Sequence, residues 1–318
     1  MNAEGVKPGE PETPAPVTPW GMVSQFFVIP LVIVLICAGL FAGIRWITSE
    51  QSSPLELLRE IRSGSETRRG QAAYQLALLL RSGGPAAETI RKDPQFVPEL
   101  LRIYRQAREA PPEIRRYLTA VLAVLGDVRS LPELLEALKD TDAETRGSAV
   151  TALGGIGDPA AIGPILERLK DDKDRGVRLF SAFVLGKFES AAIVPALRAA
   201  LDDEADDVRW NAALALAVKG DRAAAPVLER MLYRAYLKGV RVPGMIEESG
   251  LLTSREAPQG EMSDERVEET ILNALRAIDK LGAKETFGAV EKLASADKSE
   301  RVRKAAAEIS KKLQGSSK

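Results

Sequence analysis

The chain has 318 residues, with 44 lysines and arginines against 45 aspartates and glutamates, and a formal net charge of −1. It contains no histidine and one cysteine, which excludes serine–histidine–aspartate triads, zinc sites built from histidine and cysteine, and a disulfide framework. Outside the N-terminal tail and the apolar segment after it, the charges balance at 42 of each sign, so the positive excess that accompanies most nucleic-acid binding is missing.

The first 20 residues form a proline-rich tail, which we expect to be disordered. The next segment, residues 21–48, is predicted to be a transmembrane helix. Within it, the 22 residues Phe26–Ile47 would extend about 33 Å as a helix, enough to cross a hydrocarbon core of about 30 Å. Three residues are predicted to anchor this helix at the membrane interfaces: Trp20, Arg45 and Trp46.

Basic residues are scarcer before this segment than after it, because only Lys7 precedes it, whereas Arg45, Arg59 and Arg62 follow within about 20 residues. The positive-inside rule then predicts a single-pass protein of a bacterial inner (plasma) membrane, with the tail outside and the rest of the chain in the cytoplasm. A buried core helix is the alternative. A cleaved signal peptide has less support because the tail is acidic, and lipoprotein processing at Cys37 has less because bulky residues precede it.

Three residue types recur every 31 or 32 residues through about a third of the chain. The recurring positions are Pro132, Pro164, Pro195 and Pro226; Arg115, Arg146, Arg178 and Arg209; and Leu122, Leu153, Leu185 and Leu216. Such a period is typical of one structural unit stacked on copies of itself. One copy, Leu131–Asp158, has the pattern of two amphipathic helices, with Asp142 capping the second helix and glycines ending it.

About seven helix pairs are predicted in the chain after the apolar segment. Residues 52–232 hold five pairs and the first helix of a sixth, and residues 264–314 hold the remaining helices. Between them, residues 233–263 form an insertion in which glycine and proline break the helical pattern. This insertion is expected either to fold over the neighbouring helices or a partner, or to be a plain loop.

The repeat resembles the HEAT-repeat superfamily, and more narrowly the short repeats of the phycobilin lyase type. Three motifs carry the resemblance: Asp-Asp-Val-Arg at Asp206–Arg209, Gly-Val-Arg at Gly176–Arg178, and Leu-Gly-Gly-Ile-Gly-Asp-Pro-Ala at Leu153–Ala160. The resemblance covers residues 55–313. It implies an all-α fold, a right-handed α-solenoid of about seven helix pairs, here preceded by one transmembrane helix, and it implies no particular function.

Each second helix is expected to begin with an arginine that meets a carboxylate next door, like the ladder that joins successive HEAT units. The ladder arginines are Arg115, Arg146, Arg178 and Arg209. Positions one, two and five after them point away from the core, toward the concave face, and several of them carry large apolar side chains in a chain with 5% aromatic residues. The candidate partner-binding residues are Tyr117, Leu179, Phe180, Phe183, Trp210 and Leu214. The alternative is that some of them fill the grooves between adjacent units.

The predicted function is a membrane-tethered scaffold, or an accessory subunit of a membrane complex, that binds a protein or peptide on the concave face. No catalytic, cofactor-binding or metal-binding residue is predicted, and the chain is expected not to be an enzyme. The His-Glu pairs that hold iron in HEAT-like deoxyhypusine hydroxylases have no counterpart here. The alternative is a nucleic-acid-binding or nucleic-acid-processing protein similar to the HEAT-like alkylpurine DNA glycosylases, with Trp210, Arg209 and Asp207 in its groove.

Overall fold

The computed structural model describes residues 29–48, 53–242 and 260–315. It consists of two units, Met1–Ser53 and Pro54–Lys318. In the first unit, helix α1 spans Ile29–Thr48, and its side chains from Leu31 to Leu40 are exposed.

In the part of the chain that the structure describes, no helix combines the length and the apolar character needed to cross a membrane. The prediction of a transmembrane helix at residues 21–48 is therefore wrong, and so are the predicted single-pass localisation and orientation. Of the predicted anchors, Trp20 lies outside the described residues, and only the backbone of Arg45 and Trp46 is described.

The described residues of the second unit form seven helix pairs. The pairs are α2 (Pro54–Ser63) and α3 (Glu66–Ser82), α5 (Phe96–Gln106) and α6 (Pro112–Leu125), α7 (Leu131–Ala137) and α8 (Ala143–Ile156), α9 (Ile162–Asp171) and α10 (Arg175–Leu185), α11 (Ile193–Ala199) and α12 (Asp206–Val218), α13 (Ala225–Arg230) and α15 (Asp264–Leu281), and α16 (Phe287–Ala296) and α17 (Glu300–Gly315). Two short helices, α4 (Pro85–Lys92) and α14 (Arg234–Gly239), lie between pairs. Each second helix packs against the next along the chain, as expected for a solenoid.

Glycine and aspartate mark the joints between pairs. Gly126, Gly157 and Gly220 adopt positive φ where a second helix ends, a conformation that glycine reaches without steric cost. The aspartate after each of them caps a short 3₁₀ turn that leads into the next first helix. Within a pair, the Asp142 side chain accepts a hydrogen bond from the Thr145 amide at 2.8 Å. This confirms the predicted cap of α8.

The recurring prolines and leucines occupy equivalent places in successive pairs. All four prolines lie in the first turn of a first helix, where a missing amide hydrogen costs nothing. All four leucines are fully buried on second helices. The buried stripe of each second helix thus follows the spacing of three and four residues that the sequence predicts, and burial of this stripe drives the stacking.

Small residues let neighbouring second helices approach closely. A Cβ atom placed on Gly154 of α8 would lie 2.6 Å from Cγ1 of Val184 on α10, and one on Gly186 would lie 2.9 Å from Cβ of Ala215 on α12. Ordinary side chains do not fit at such distances, so glycine at these two positions is a packing requirement.

The insertion contains more structure than its composition predicted. Helix α14 occupies its start, and two residues on each side, β1 (Arg241–Val242) and β2 (Gly260–Glu261), form a short antiparallel ribbon at its base. Residues 243–259 lie outside the described residues. Apart from this ribbon, the secondary structure of the described residues is helical, as the predicted all-α class requires. The proposed division into residues 52–232, 233–263 and 264–314 stays a prediction.

Candidate functional site

A ladder of ion pairs joins successive helix pairs along one edge of the stack. Arg115 binds Asp140 through Nε and Nη2 at 2.7 and 2.8 Å, and Arg146 binds Asp172 in the same way at 2.8 and 2.7 Å. Arg178 repeats the geometry with Asp203 at 2.8 and 3.1 Å. Each arginine therefore binds a carboxylate about 26 residues later in the chain, in the turn of the next pair, through two parallel hydrogen bonds.

The ladder aspartates also organise their own turns. Asp172 accepts a hydrogen bond from the Asp174 amide at 3.0 Å, and Asp140 accepts one from the Asp142 amide at 2.8 Å. Burial raises the pKa of both carboxyls, but the guanidinium and the amide outweigh it, so each pKa lies below its ordinary value. These charges are held ionised, which indicates a structural role for the ladder.

The polarity of the ladder inverts at the sixth pair. The ladder aspartates Asp140, Asp172 and Asp203 are 31 or 32 residues apart. One further step of 31 residues reaches Arg234, so a cation occupies the position where an aspartate would bind Arg209. Arg209 instead binds Asp206 of its own helix. Arg234, on α14, binds Asp297 of the last pair through Nε and Nη2 at 2.7 and 2.8 Å. The insertion thus supplies a guanidinium that ties the last pair to the stack.

Three of the predicted partner-binding residues pack between units. The Tyr117 ring meets the Tyr74 ring edge-on with centroids 5.3 Å apart, and the Phe180 ring covers Gly147 of the preceding pair. Trp210 is 6% exposed, and its Nε1 donates to the Tyr236 hydroxyl at 3.3 Å. Leu179 is half-buried against the core. The structure therefore does not gather these aromatic residues into one exposed patch, because they pack against neighbouring helices.

Phe183 and Leu214 have different surroundings. They line a groove of about 650 Å³ across the second helices α10, α12 and α15, which we name the second-helix groove. Phe183 is 50% exposed and Val218, on α12, is 48% exposed, with the half-buried Leu214 one turn before Val218. The floor consists of small residues, among them Gly186 and Ala215. Large apolar side chains thus remain open to solvent in this groove.

Cations surround this apolar centre. Nζ of Lys187 lies 4.6 Å from the centroid of the Phe183 ring, and the exposed side chains of Arg276 and Lys280 line the groove on α15. Within residues 53–242 and 260–315, no acidic side chain forms an ion pair with any of these three cations. Glu189 also lines the groove, but its Oε1 lies 2.9 Å from Nζ of Lys219, so the groove still carries an excess of positive charge in a nearly neutral chain.

The sequence did not reveal most of this groove. Lys187 lies four residues after Phe183, a spacing that places both on one helical face. Val218 lies four residues after Leu214, so the same helical spacing indicates that these two residues share a face. No spacing in the sequence relates Arg276 and its neighbours on α15 to the groove, because the insertion breaks the repeat period before them.

The residues of the predicted nucleic-acid site are engaged in packing and ion pairs. Asp207 binds Arg175 at 2.7 Å, and Arg209 binds Asp206 and the Asp203 carbonyl oxygen. Trp210 is covered by α14. No open aromatic platform exists at this point, so the structure gives the alternative function no support. Among the described residues, no three Asp, Glu, His or Cys side chains converge as a metal site.

Comparison with known proteins identifies the repeat. The family model of HEAT repeats matches residues 97–179 and 162–241. Residues 97–241 therefore contain HEAT repeats. The solved structure of YibA from Escherichia coli is similar over 85% of both chains, with 15% sequence identity and a TM-score of 0.54, which shows a shared fold of HEAT-like helix pairs. No curated protein matches the sequence.

A second solved structure corrects one prediction. Human deoxyhypusine hydroxylase, solved with glycerol, covers 82% of this chain and 84% of its own, with 18% identity and a TM-score of 0.31. This protein is an enzyme. The prediction that the present chain is not an enzyme is wrong, because neither a helical fold nor the lack of histidine excludes catalysis by carboxylates. At this TM-score the likeness transfers neither an activity nor a residue to the chain.

Proposed function

We propose that the chain is a protein-interaction scaffold that holds a segment of a partner protein in the second-helix groove. HEAT repeats form extended surfaces rather than enclosed pockets, and such surfaces commonly bind proteins. The observation that carries the proposal is the exposure of Phe183 and Val218 on adjacent helices, since half-exposed large apolar side chains that share a groove mark interaction sites.

The other candidate residues receive supporting roles in this proposal. Tyr117, Leu179, Phe180 and Trp210 pack between helices and hold the repeats together. The ladder arginines keep successive pairs in register, so that α10, α12 and α15 present their side chains as one surface. Of the six predicted partner-binding residues, Phe183 and Leu214 are proposed to touch the partner.

Site-directed photo-crosslinking tests the proposal. Phe183 is replaced by p-benzoylphenylalanine in the full chain, which is then irradiated in the cells from which it comes. We expect a discrete covalent adduct with a protein partner. The matched control carries the same residue at Val128, which is 58% exposed on a turn outside the groove. Equal adducts from both positions, or none from position 183, would contradict the proposal.

A further inference from the structure

We infer that the second-helix groove selects a partner segment in which aliphatic or aromatic side chains are flanked by carboxylates. This inference rests on the function proposed above and adds the chemistry of the partner. Two features of the groove carry it: the apolar centre and the distribution of cations around that centre.

The apolar centre calls for apolar side chains on the partner. Phe183, Leu214 and Val218 lie above a floor of small residues, so a side chain entering the groove meets hydrocarbon below and on both sides. Burial of these exposed groups on binding is favourable in proportion to the apolar area removed from water. Asn211 and Asn273 also line the groove. Asn211 Nδ2 donates to the Asp207 carbonyl oxygen and Asn273 Oδ1 accepts from Arg276, so Asn211 Oδ1 and Asn273 Nδ2 are the amide atoms that could bind a backbone.

The cations lie on two sides of the groove, in the turn that follows α10 and on α15. Because α12 packs between α10 and α15, Lys187 is on one side of the apolar centre, and Arg276 and Lys280 are on the other. One acidic residue, Glu189, lines the groove on the Lys187 side, and it is engaged by Lys219, whose Nζ lies 2.9 Å from Glu189 Oε1. A partner with carboxylates on both sides of an apolar anchor would complement this arrangement.

The dimensions of the groove suit a short peptide segment. Neighbouring helices pack about 8–10 Å apart, so three helices span roughly 20 Å between outer axes. About six residues of extended chain cover that distance at about 3.3 Å each. A nucleic acid fits less well. The groove offers one aromatic ring, with Lys187 already against it, whereas single strands need successive stacking platforms and a longer basic track.

A peptide-display experiment tests the inference. A random library of 12-residue peptides is selected on the purified full chain and on two variants whose changed side chains are all exposed. The charge variant is Lys187→Gln/Arg276→Gln/Lys280→Gln, and the apolar variant is Phe183→Ser/Val218→Ser. We expect the unaltered chain to enrich peptides with acidic residues on both sides of apolar ones. The best peptide should bind the charge variant about tenfold more weakly, since each of three rim ion pairs contributes roughly twofold. It should not bind the apolar variant.

The possible failures are distinguishable. Peptides that need Phe183 and Val218 but show no acidic preference would refute this inference and leave the proposed function intact. If no peptide distinguishes the unaltered chain from the apolar variant, peptide docking in the groove is refuted altogether. Tighter binding of a 12-residue oligothymidylate than of the best peptide, lost in the charge variant, would make the occupant a nucleic acid. If analytical ultracentrifugation shows a dimer of the unaltered chain and a monomer of the apolar variant, the occupant of the groove is a second copy of the chain. Far-UV circular dichroism establishes that both variants fold.

Discussion

The ion-pair ladder makes a quantitative prediction at Asp172. Its side chain is 1% exposed, and it accepts two hydrogen bonds from Arg146, one from Arg168 at 3.3 Å and one from a backbone amide. Asp172→Asn keeps the shape but removes the charge and turns an amide group toward a guanidinium that is 13% exposed. Removing one partner of such a pair leaves the other desolvated and unsatisfied, so we expect the free energy of unfolding to fall by about 3 kcal/mol.

The neighbouring residue supplies a matched control. Asp171 has a side chain that is 60% exposed, and its ion-pair partner, Lys170, lies at 3.9 Å. Asp171→Asn makes the same chemical change one position away and should alter the free energy of unfolding by less than about 0.5 kcal/mol. In urea unfolding followed by circular dichroism, a loss of about 3 kcal/mol shifts the midpoint by about 1 M at a slope near 3 kcal/mol per M.

The pH dependence of the stability lost in Asp172→Asn gives a second measurement. The pKa of Asp172 is lower in the folded chain than its ordinary value of 3.8, because the Arg146 and amide hydrogen bonds outweigh burial. A carboxyl with a depressed folded pKa contributes stability above its unfolded pKa and loses it as the pH falls toward the folded value. The difference between the unaltered chain and Asp172→Asn should therefore be constant from pH 7 to about 5 and shrink below about 4. Equal midpoints for Asp172→Asn and Asp171→Asn at pH 7 would refute the reasoning.

Three further predictions concern packing and the inverted ladder. Gly154→Ala should lower the free energy of unfolding by about 1–3 kcal/mol, because the added Cβ would overlap a valine of α10. In the control, Gly155→Ala, the added Cβ meets open space, so the free energy of unfolding should stay unchanged or rise by up to about 1 kcal/mol. Equal thermal midpoints for the two variants would contradict this prediction. Arg234→Asp and Asp297→Arg should each lower the thermal midpoint, and the double variant with both charges exchanged should recover more than half of the summed loss. Strictly additive losses would show that the two residues are not coupled. Trp210→Ala should cost about 3–5 kcal/mol in chemical denaturation, and a loss below about 0.5 kcal/mol would place the indole on the surface instead.

The local features of the repeats were predictable from the sequence. The spacing of three and four residues identified the buried stripe of each second helix, and the period near 31 residues placed Leu122 and its three equivalents in the core. Asp142 was recognisable as a helix cap because capping depends on residues two or three positions away. The insertion was recognisable from its glycines and prolines, although its helix α14 and its ribbon were not.

The candidate site was predictable only in part. Positions one, two and five after each ladder arginine point away from their own helix pair, but their exposure depends on the next pair. Phe180 is covered because it lies over a glycine of the preceding pair, and Trp210 is covered because the insertion brings Tyr236 against it. Phe183 remains exposed on the same stripe. A spacing rule assigns these three residues the same environment, whereas the structure assigns them different ones.

The sequence by itself determined the helix pairs, their joints and the arginines that begin the second helices, because hydrophobic periodicity, capping and glycine conformation act over a few residues. Only the tertiary structure decided which carboxylate each arginine meets and that Arg234 replaces an aspartate to hold the last pair. It also decided that cations at the end of α10 and on α15 flank one apolar groove. The physical reason is that these contacts join residues 25 to about 90 positions apart, where the size and charge of the facing side chain, and not the local pattern, decide what is buried and what stays open.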